Sequence, residues 1–246
     1  MSLRRLRRTW DRLTEQDAMW AALTDPEKAG RRWVSEEFLQ HGRDEVDEYF
    51  ARLDRLGLEV RPSRALDFGC GPGRLTCALL TRFREVDAVD ISPAMIARAR
   101  GLVPADAPVT FHQNETAALD MFPSGHFSFV LSVLVLQHVP PRYSKRYLAE
   151  IVRVLEPGGV AVVQVPSHPA LSATRLARHD VSPAVRNGLR RLRACGRPVM
   201  DAYSVRREDV VAIIEGSGGR VREAVEDHSA GWDWVSYTYV VQKREM

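Results

Sequence analysis

The sequence predicts an α/β fold with a doubly wound, mostly parallel sheet, and two observations carry that prediction. The first is a short apolar run that leads through a glycine-rich turn, Asp67-Phe68-Gly69-Cys70-Gly71-Pro72-Gly73, into a helical pattern. The second is the alternation of short apolar runs with helical segments that follows it along the chain. A length of 246 residues suits one full α/β domain with an added segment.

Composition places the chain among ordinary globular proteins, with 45% apolar and 27% charged residues. Three cysteines, Cys70, Cys77 and Cys195, lack the spacing of metal ligands, so we interpret them as reduced thiols. The basic start is not followed by an apolar segment, and no window approaches the roughly 20 apolar residues of a membrane span. We therefore expect a cytoplasmic protein without a signal peptide.

The arginines are unevenly distributed, although the net charge is only +3. One cluster lies at residues 4–8, and a second runs from Arg175 to Arg197. Solvated helix faces explain both clusters most simply. The alternative is that the second cluster holds an anionic substrate or a nucleic acid.

The glycine turn has the form of a phosphate- or nucleotide-binding turn, but its spacing is G-x-G-x-G, so the dinucleotide pattern G-x-G-x-x-G fails at its last position. Glycine lets the backbone take a positive φ and approach a ligand closely. Asp90 ends the next apolar run, 21 positions after Gly69. An acid at that place can accept hydrogen bonds from both hydroxyls of a ribose. A solvated strand end is the alternative for Asp90.

A strand that ends in Asp-x-Gly-x-Gly-x-Gly resembles motif I of the class I S-adenosylmethionine-dependent methyltransferases. The segments Leu136-Gln137-His138-Val139 and Leu155-Glu156-Pro157-Gly158-Gly159 resemble the same family, and the resemblance covers about residues 60–165 and 205–243. It implies a Rossmann-like sheet of seven strands with an antiparallel last strand. It also implies S-adenosyl-L-methionine as the cofactor and S-adenosyl-L-homocysteine as the product.

The resemblance also implies which residues bind this cofactor. Asn114 and Glu115 follow the predicted third strand, where the family often has an acid that meets the adenine amino group. Asn114 can fill that role through its amide oxygen. The expected cofactor-binding residues in the sheet domain are Asp67, Gly69, Cys70, Gly71, Gly73, Asp90, Ile91, Asn114, Glu115, Ser132 and Val133.

We divide the chain into an N-terminal helical cap at 1–60 and a methyltransferase domain at 61–246, with a substrate-cap insertion at 166–205. In the family such N-terminal helices often close over the cofactor, and the region of Trp33, Phe38 and Arg43 resembles that lid. We therefore add Phe38 and Arg43 to the cofactor-binding residues, with Arg43 as the partner of the methionine carboxylate. The alternative is that Trp33 and Phe38 are core anchors.

Two histidines are candidate catalytic bases, because a neutral imidazole can remove a proton from a hydroxyl acceptor near pH 7. His138 follows the predicted fourth strand and His168 follows the fifth, so both are expected at the carboxyl edge of the sheet. A structural role at a helix start is the alternative for His138. No histidine or cysteine cage suggests a metal, although one or two carboxylates could recruit Mg²⁺.

The favoured function is methyl transfer to a small-molecule acceptor, such as a hydroxyl oxygen of a sugar or natural product. No Asn/Asp-Pro-Pro-Tyr/Phe segment, the signature of adenine-N6 and glutamine methylation, follows the fourth strand. One alternative is a methyltransferase of RNA or protein that uses the arginine-rich insertion. Another is a non-catalytic cofactor-binding module. We expect a small-molecule substrate rather than a nucleic-acid or membrane partner, and the sequence leaves a homodimer open.

Overall fold

A computed structural model describes residues 1–170, 200–231 and 234–245 of the chain. Its helices are α1 (Leu3–Ala22), α2 (Ser35–Arg55), α3 (Arg74–Leu79), α4 (Pro93–Leu102), α5 (Pro141–Val154) and α6 (Arg207–Gly216). Its strands are β1 (Arg64–Phe68), β2 (Glu85–Asp90), β3 (Val109–Gln113), β4 (Phe127–Ser132), β5 (Leu155–Pro169), β6 (Gly219–Asp227) and β7 (Trp234–Lys243). Short 3₁₀ turns lie at Pro26–Lys28 and Leu136–His138.

The strands form one sheet of seven in the order β3-β2-β1-β4-β5-β7-β6. Strands β1 to β5 pair in parallel, whereas β7 runs antiparallel to both β5 and β6. The chain order reverses between β1 and β4, so ligands are expected at the carboxyl ends of these strands. The predicted fold class is confirmed.

One boundary differs from the sequence prediction. Strand β5 continues to Pro169, beyond the predicted start of the insertion at 166, because its antiparallel pairing with β7 reaches from Val160 to Pro169. Helix α2 runs without interruption through Gly42. The arginine-rich part of the insertion, with Arg175 to Arg197, lies outside the described residues.

Hydrophobic layers cover both faces of the sheet. One face packs against α5, α6 and the start of α1, and the other packs against α2 and α3. Phe129 on β4 lies at the centre of the second face and is fully buried. Its ring lies 5.5 Å from the Phe83 ring and 5.3 Å from the Phe50 ring, so the sheet and α2 meet through a cluster of aromatic side chains.

We expect Phe129→Ala to lower the free energy of unfolding by about 3–5 kcal/mol, because it leaves a cavity beneath two aromatic rings. Urea unfolding measures this change. Met121→Ala is the matched control, since Met121 is 41% exposed and surface truncations usually change stability by about 0.5 kcal/mol or less. Equal losses for the two variants would contradict the packing of this face.

Helix α1 lies across the carboxyl edge of the sheet and contacts α4. Apolar residues recur along it at Leu3, Leu6, Trp10 and Leu13, and this spacing places them on one face of the helix. Asp17 has non-helical angles, which divide α1 into a long first part and a short second part. Neither α1 nor any other described helix is both long enough and apolar enough to cross a membrane.

Candidate functional site

A cavity opens where β1, β2 and β4 end, and α1 covers it from above. The turn after β1 and the ends of β2 and β4 form its floor, with Phe68, Gly69, Cys70, Gly71, Asp90, Ile91, Val133, Leu134 and Val135. The side chains of α1 that close it are Leu3, Leu6, Trp10 and Ala22. The position matches the crevice in which open α/β sheets bind ligands.

The glycine turn brings the backbone of the loop to this cavity. Gly69 has a φ of +84°, and a Cβ built there would lie 2.2 Å from Cγ2 of Val135. Gly71 has a φ of +52° and lines the cavity directly. A larger residue at either place would strain the backbone, and at Gly69 it would also collide with the segment after β4. The turn therefore needs glycine for both conformation and space.

Asp90 projects from the end of β2 into the same cavity, as its sequence position predicts. Its carboxylate accepts a hydrogen bond from the backbone N–H of Gly71 at 2.9 Å and another from Ser92 at 2.7 Å. Burial raises the pKa of Asp90 to about 6, against the opposing effect of these backbone donors. Each oxygen keeps a second lone pair for a ligand.

Asp67 and Gly73 support this turn rather than line the cavity. The Asp67 carboxylate is buried and accepts a hydrogen bond from the Thr76 hydroxyl at 2.6 Å, and burial raises its pKa to about 7. A Cβ at Gly73 would lie 3.1 Å from the Cβ of Ala99, so this glycine allows α4 to pack closely. Direct contact of Asp67 or Gly73 with a ligand is therefore not supported.

Cys70 lines the cavity between the two glycines. Burial raises the pKa of its thiol, with the neighbouring carboxylates of Asp90 and Asp67 adding to the effect. The thiol is therefore protonated rather than a thiolate near neutral pH. Ile91 and Val133 line the cavity as well and give it apolar walls.

Asn114 lines the cavity, but its amide oxygen is already occupied. It accepts hydrogen bonds from both the N–H and the hydroxyl of Thr116, at 3.1 and 3.0 Å. Because a carbonyl oxygen has two lone pairs, the expected contact of this oxygen with an adenine amino group has no support in the structure. Glu115 is exposed and pairs with Gln113 and Arg7, so it does not line the cavity either.

Ser132 lies at the end of β4 and is fully buried, with no hydrogen-bond partner for its hydroxyl. It is not among the residues that line the cavity. The prediction that Ser132 touches the cofactor is therefore not supported, whereas its neighbour Val133 is correctly placed.

The predicted lid on α2 is wrong in its position. Trp33 and Phe38 are buried and meet edge to face with ring centroids 5.6 Å apart, which is the core-anchor alternative. Arg43 donates to Glu36 and Gln40 on its own helix and does not line the cavity. The reason is the packing of α2 against α3, where Gly42 allows close contact with the backbone of Arg74.

Two groups of cavity residues were missed by the sequence prediction. Arg74 lines the cavity, is nearly buried, and donates to the Glu45 carboxylate at 2.5 Å. The start of α1 is the second group. Its signal was present in the sequence, because Leu3, Leu6 and Trp10 have helical spacing, but the surrounding arginines suggested a solvated basic segment instead.

His138 lies beside the cavity in the 3₁₀ turn after β4. Its ring meets Trp10 of α1 edge to face with centroids 5.1 Å apart. Nδ1 lies 2.9 Å from the carbonyl oxygen of Asp201, so this nitrogen donates and carries the proton of the neutral ring. Nε2 then accepts from the side-chain amide of Gln137 at 3.0 Å. The one lone pair of the neutral ring is therefore on Nε2, and it is occupied by the Gln137 amide until that side chain turns away.

The prediction of His168 as a base is not supported. His168 is exposed on β5, where it is in register with Val235 of β7, and it does not line the cavity. The cause is the extension of β5, which carries this residue along the sheet instead of into the loop expected above the site. Among the described residues, no group of three or more histidine, cysteine or acidic side chains could hold a metal ion.

Comparison with known proteins identifies the part of the chain that forms this site. Residues 65–159 match a family model described as a methyltransferase domain. They include the glycine turn, Asp90 and the segment after β4. Residues 65–159 therefore belong to this methyltransferase domain family. The seven-strand order is that of the Rossmann-like fold of class I S-adenosylmethionine-dependent methyltransferases.

Curated methyltransferases are similar over this domain. A trans-aconitate 2-methyltransferase of Methylobacterium nodulans is 33% identical over 59% of this chain and 54% of its own length. A 2-methyl-6-phytyl-1,4-hydroquinone methyltransferase of Synechocystis is 33% identical over 53% of this chain and 40% of its own length. The chain therefore spans about half the length of the curated relatives that it matches.

A solved methyltransferase has the same fold over nearly the whole chain. The magnesium protoporphyrin IX methyltransferase of Synechocystis, with S-adenosylhomocysteine bound, aligns over 98% of this chain and 99% of its own. The TM-score is 0.63 at 17% identity. The likeness extends to both the N-terminal helices and the terminal strands of this class I fold.

The residues at the cavity fit S-adenosylmethionine, the cofactor of the family. Asp90 offers two carboxylate oxygens to ribose hydroxyls, and the N–H of Gly71 holds that carboxylate in place. Gly69 and Gly71 leave space where a Cβ would intrude, and Ile91 and Val133 supply apolar contacts for a purine.

Proposed function

We propose that this protein transfers a methyl group from S-adenosylmethionine to a small-molecule acceptor, at an oxygen atom. The observation that carries the proposal is the half-buried carboxylate of Asp90, fixed by the N–H groups of Gly71 and Ser92 at an apolar cavity. A solvated strand end, the alternative for Asp90, does not explain a carboxylate that lines a cavity and accepts from two backbone donors.

The closure of the cavity by α1 supports a small acceptor. Leu3, Leu6 and Trp10 form an apolar cover over the site, which favours a compact acceptor with an apolar part over an extended polymer. The names of two similar proteins agree with this choice, since they specify trans-aconitate and a hydroquinone. A carboxylate oxygen and a hydroxyl oxygen are both compatible acceptor atoms.

When bound, S-adenosylmethionine supplies an electrophilic methyl group, so the protein has to align the acceptor and exclude water. The turn from Gly69 to Gly71 and the carboxylate of Asp90 bind and orient the cofactor. The apolar side chains of α1 exclude water. For a hydroxyl acceptor we propose that the acceptor displaces the Gln137 amide from Nε2 of His138 and gives its proton to that nitrogen, while Nδ1 stays hydrogen-bonded to the carbonyl oxygen of Asp201. A carboxylate acceptor needs no such base.

If the acceptor is a hydroxyl, we expect His138→Ala to lower kcat by about 10²–10⁴-fold, the usual contribution of a general base. The affinity for S-adenosylhomocysteine should change little, because His138 does not line the cavity. His168→Ala is the matched comparison and should retain turnover, since that side chain is exposed. Full turnover of His138→Ala with an unchanged pH profile would leave His138 with a structural role only.

The test of the proposed function is transfer of labelled methyl from S-adenosylmethionine into a cell extract that is then separated into metabolites, RNA and protein. We expect label in the metabolite fraction, and mass spectrometry of that product gives the acceptor and the methylated atom. Label in RNA or protein would replace this proposal by the polymer alternative. Cofactor binding without label in any fraction would favour a non-catalytic module.

A further inference from the structure

A short polar contact joins helix α1 to the cofactor edge of the sheet. The carboxylate of Asp11 accepts a hydrogen bond from the Ser92 hydroxyl at 2.7 Å. Ser92 is also the N-cap of α4, where its oxygen accepts from the N–H of Met95, and its own N–H donates to Asp90. A single serine therefore connects the cover of the cavity to the carboxylate on its floor.

This contact lies next to the residues of α1 that cover the cavity. Trp10, which lines the cavity, directly precedes Asp11, and Leu6 lies on the same side just over one turn earlier. Arg7 reaches the other carboxylate oxygen of Asp11 at 3.6 Å and Glu115 at 3.5 Å. Separation of Asp11 from Ser92 would release the middle of α1, and with it the apolar cover of the site.

We propose that Asp11 is a positioning residue that holds α1 closed over bound cofactor through its hydrogen bond to Ser92. The proposal rests on the proposed function, because it takes S-adenosylmethionine as the ligand beneath α1. It assigns to Asp11 no contact with the reacting atoms. Its effect is on how long the cofactor and its product stay bound.

The strength of the hydrogen bond between Asp11 and Ser92 sets the expected change in the dissociation rate. A hydrogen bond to a charged group is among the stronger ones in proteins, and this one is partly shielded from water. If the bond is broken whenever the ligand leaves, its loss should raise the dissociation rate by about tenfold. Affinity should change less than the rate, because a loosened α1 also admits ligand faster.

The experiment measures dissociation of S-adenosylhomocysteine from the full chain by stopped-flow tryptophan fluorescence, since Trp10 lies at the cavity. We expect Asp11→Ala to dissociate about tenfold faster than the wild-type protein. Asp11→Asn retains an oxygen that can accept from Ser92, so it should stay within about twofold. Glu15→Ala removes an exposed acid one turn further along α1 and should leave the rate unchanged.

The pH dependence of cofactor-product affinity is a second measurement, and it distinguishes a positioning role of Asp11 from support of the fold alone. Asp11 adds to the rise in the pKa of Asp90, and the other ionisable groups around Asp90 are Asp67 and Cys70, with Arg7 paired to Asp11. The charged form of Asp90 is the one that accepts from ribose, so affinity should increase as pH rises through about 6. In Asp11→Asn this midpoint should move to lower pH.

The outcomes are distinguishable. Failure of the wild-type protein to bind S-adenosylhomocysteine would overturn the proposed function. Binding by the wild-type protein with equal dissociation rates for Asp11→Ala and Glu15→Ala would overturn the positioning role alone. If Asp11→Ala does not fold, the wild-type-like rate and shifted pH midpoint of Asp11→Asn support the proposal, and an unshifted midpoint contradicts it.

Discussion

Asp90→Ala is expected to weaken the binding of S-adenosylhomocysteine by at least about 100-fold. The substitution removes both oxygens that can accept from ribose hydroxyls, and a hydrogen bond to a charged group contributes about 1.5–3 kcal/mol. The loss is larger than for an exposed acid because the Asp90 carboxylate is half-buried at the cavity and held by Gly71 and Ser92. Isothermal titration calorimetry at pH 8 gives the affinity.

Asp90→Asn tests the need for two acceptor oxygens. In the wild-type protein one carboxylate oxygen faces the N–H of Gly71 and the other faces the N–H of Ser92. An asparagine must turn its NH₂ group towards one of these donors, which disturbs the loop. We therefore expect an affinity between those of the wild-type protein and Asp90→Ala, and no change in affinity across pH 6.

The pH dependence of the wild-type protein has a definite sign. Burial raises the pKa of Asp90 from 3.8 to about 6, so the folded protein holds this proton more tightly than the unfolded chain between those values. The contribution of Asp90 to stability therefore decreases as pH rises through that window, while its ability to bind ribose increases. Stability and ligand affinity should change in opposite directions from pH 4 to pH 7 at this residue.

Asp106→Ala is the matched control, because Asp106 is an exposed acid in the loop between α4 and β3. It should bind S-adenosylhomocysteine like the wild-type protein. Wild-type affinity in Asp90→Ala would remove the assignment of this residue to ribose binding. It would also remove the observation that carries the proposed function.

The sequence was sufficient for the glycine turn, Asp90 and the sheet because these features are local. A buried strand, a turn that needs positive φ at Gly69 and Gly71, and an acid at the end of the next strand each leave a pattern over a few residues. Chain topology then brings the carboxyl ends of β1 and β2 together without further information. Val133 and Ile91, which the family resemblance named, also line the cavity.

The cover of the cavity could not be placed in the same way. Two N-terminal helices have apolar faces, and spacing alone does not say which sheet edge each one meets. Gly42 decides the position of α2, because it permits contact with the backbone of Arg74 that a side chain would block. On α1, Asp11 accepts a hydrogen bond from Ser92, a residue 81 positions away. Such long-range contacts leave no local pattern.

Asn114 shows a related limit at the level of one side chain. Its position after β3 was correctly predicted to lie at the cavity, yet its amide oxygen accepts from Thr116 two residues later. Asparagine side chains commonly form hydrogen bonds with nearby backbone groups in this way. A sequence motif does not show that such a local bond competes with a ligand for the amide oxygen. Residue type and location therefore predicted proximity but not the contact.

Gly69→Ala is expected to have the largest effect on the turn itself. Its φ of +84° disfavours any side chain, and the added Cβ would lie 2.2 Å from Cγ2 of Val135. Left-handed backbone costs a non-glycine residue about 1–2 kcal/mol and overpacking about 1–3 kcal/mol, so we expect a loss of stability of about 2–5 kcal/mol. Urea unfolding measures this loss. Affinity for S-adenosylhomocysteine should fall as well, because the turn cannot keep its shape.

Two further variants separate backbone strain at Gly69 from the collision with Val135. Gly57→Ala shares a positive φ, +64°, but has no atoms within 4 Å of the added Cβ, so it should lose only the backbone part of about 1–2 kcal/mol. Val135→Ala removes the colliding methyl groups, and in the Gly69→Ala background it should recover part of the stability. A double-mutant cycle with coupling of at least about 1 kcal/mol is the expected result. Additive losses would mean that Val135 moves aside freely, and that the strain at Gly69 is conformational alone.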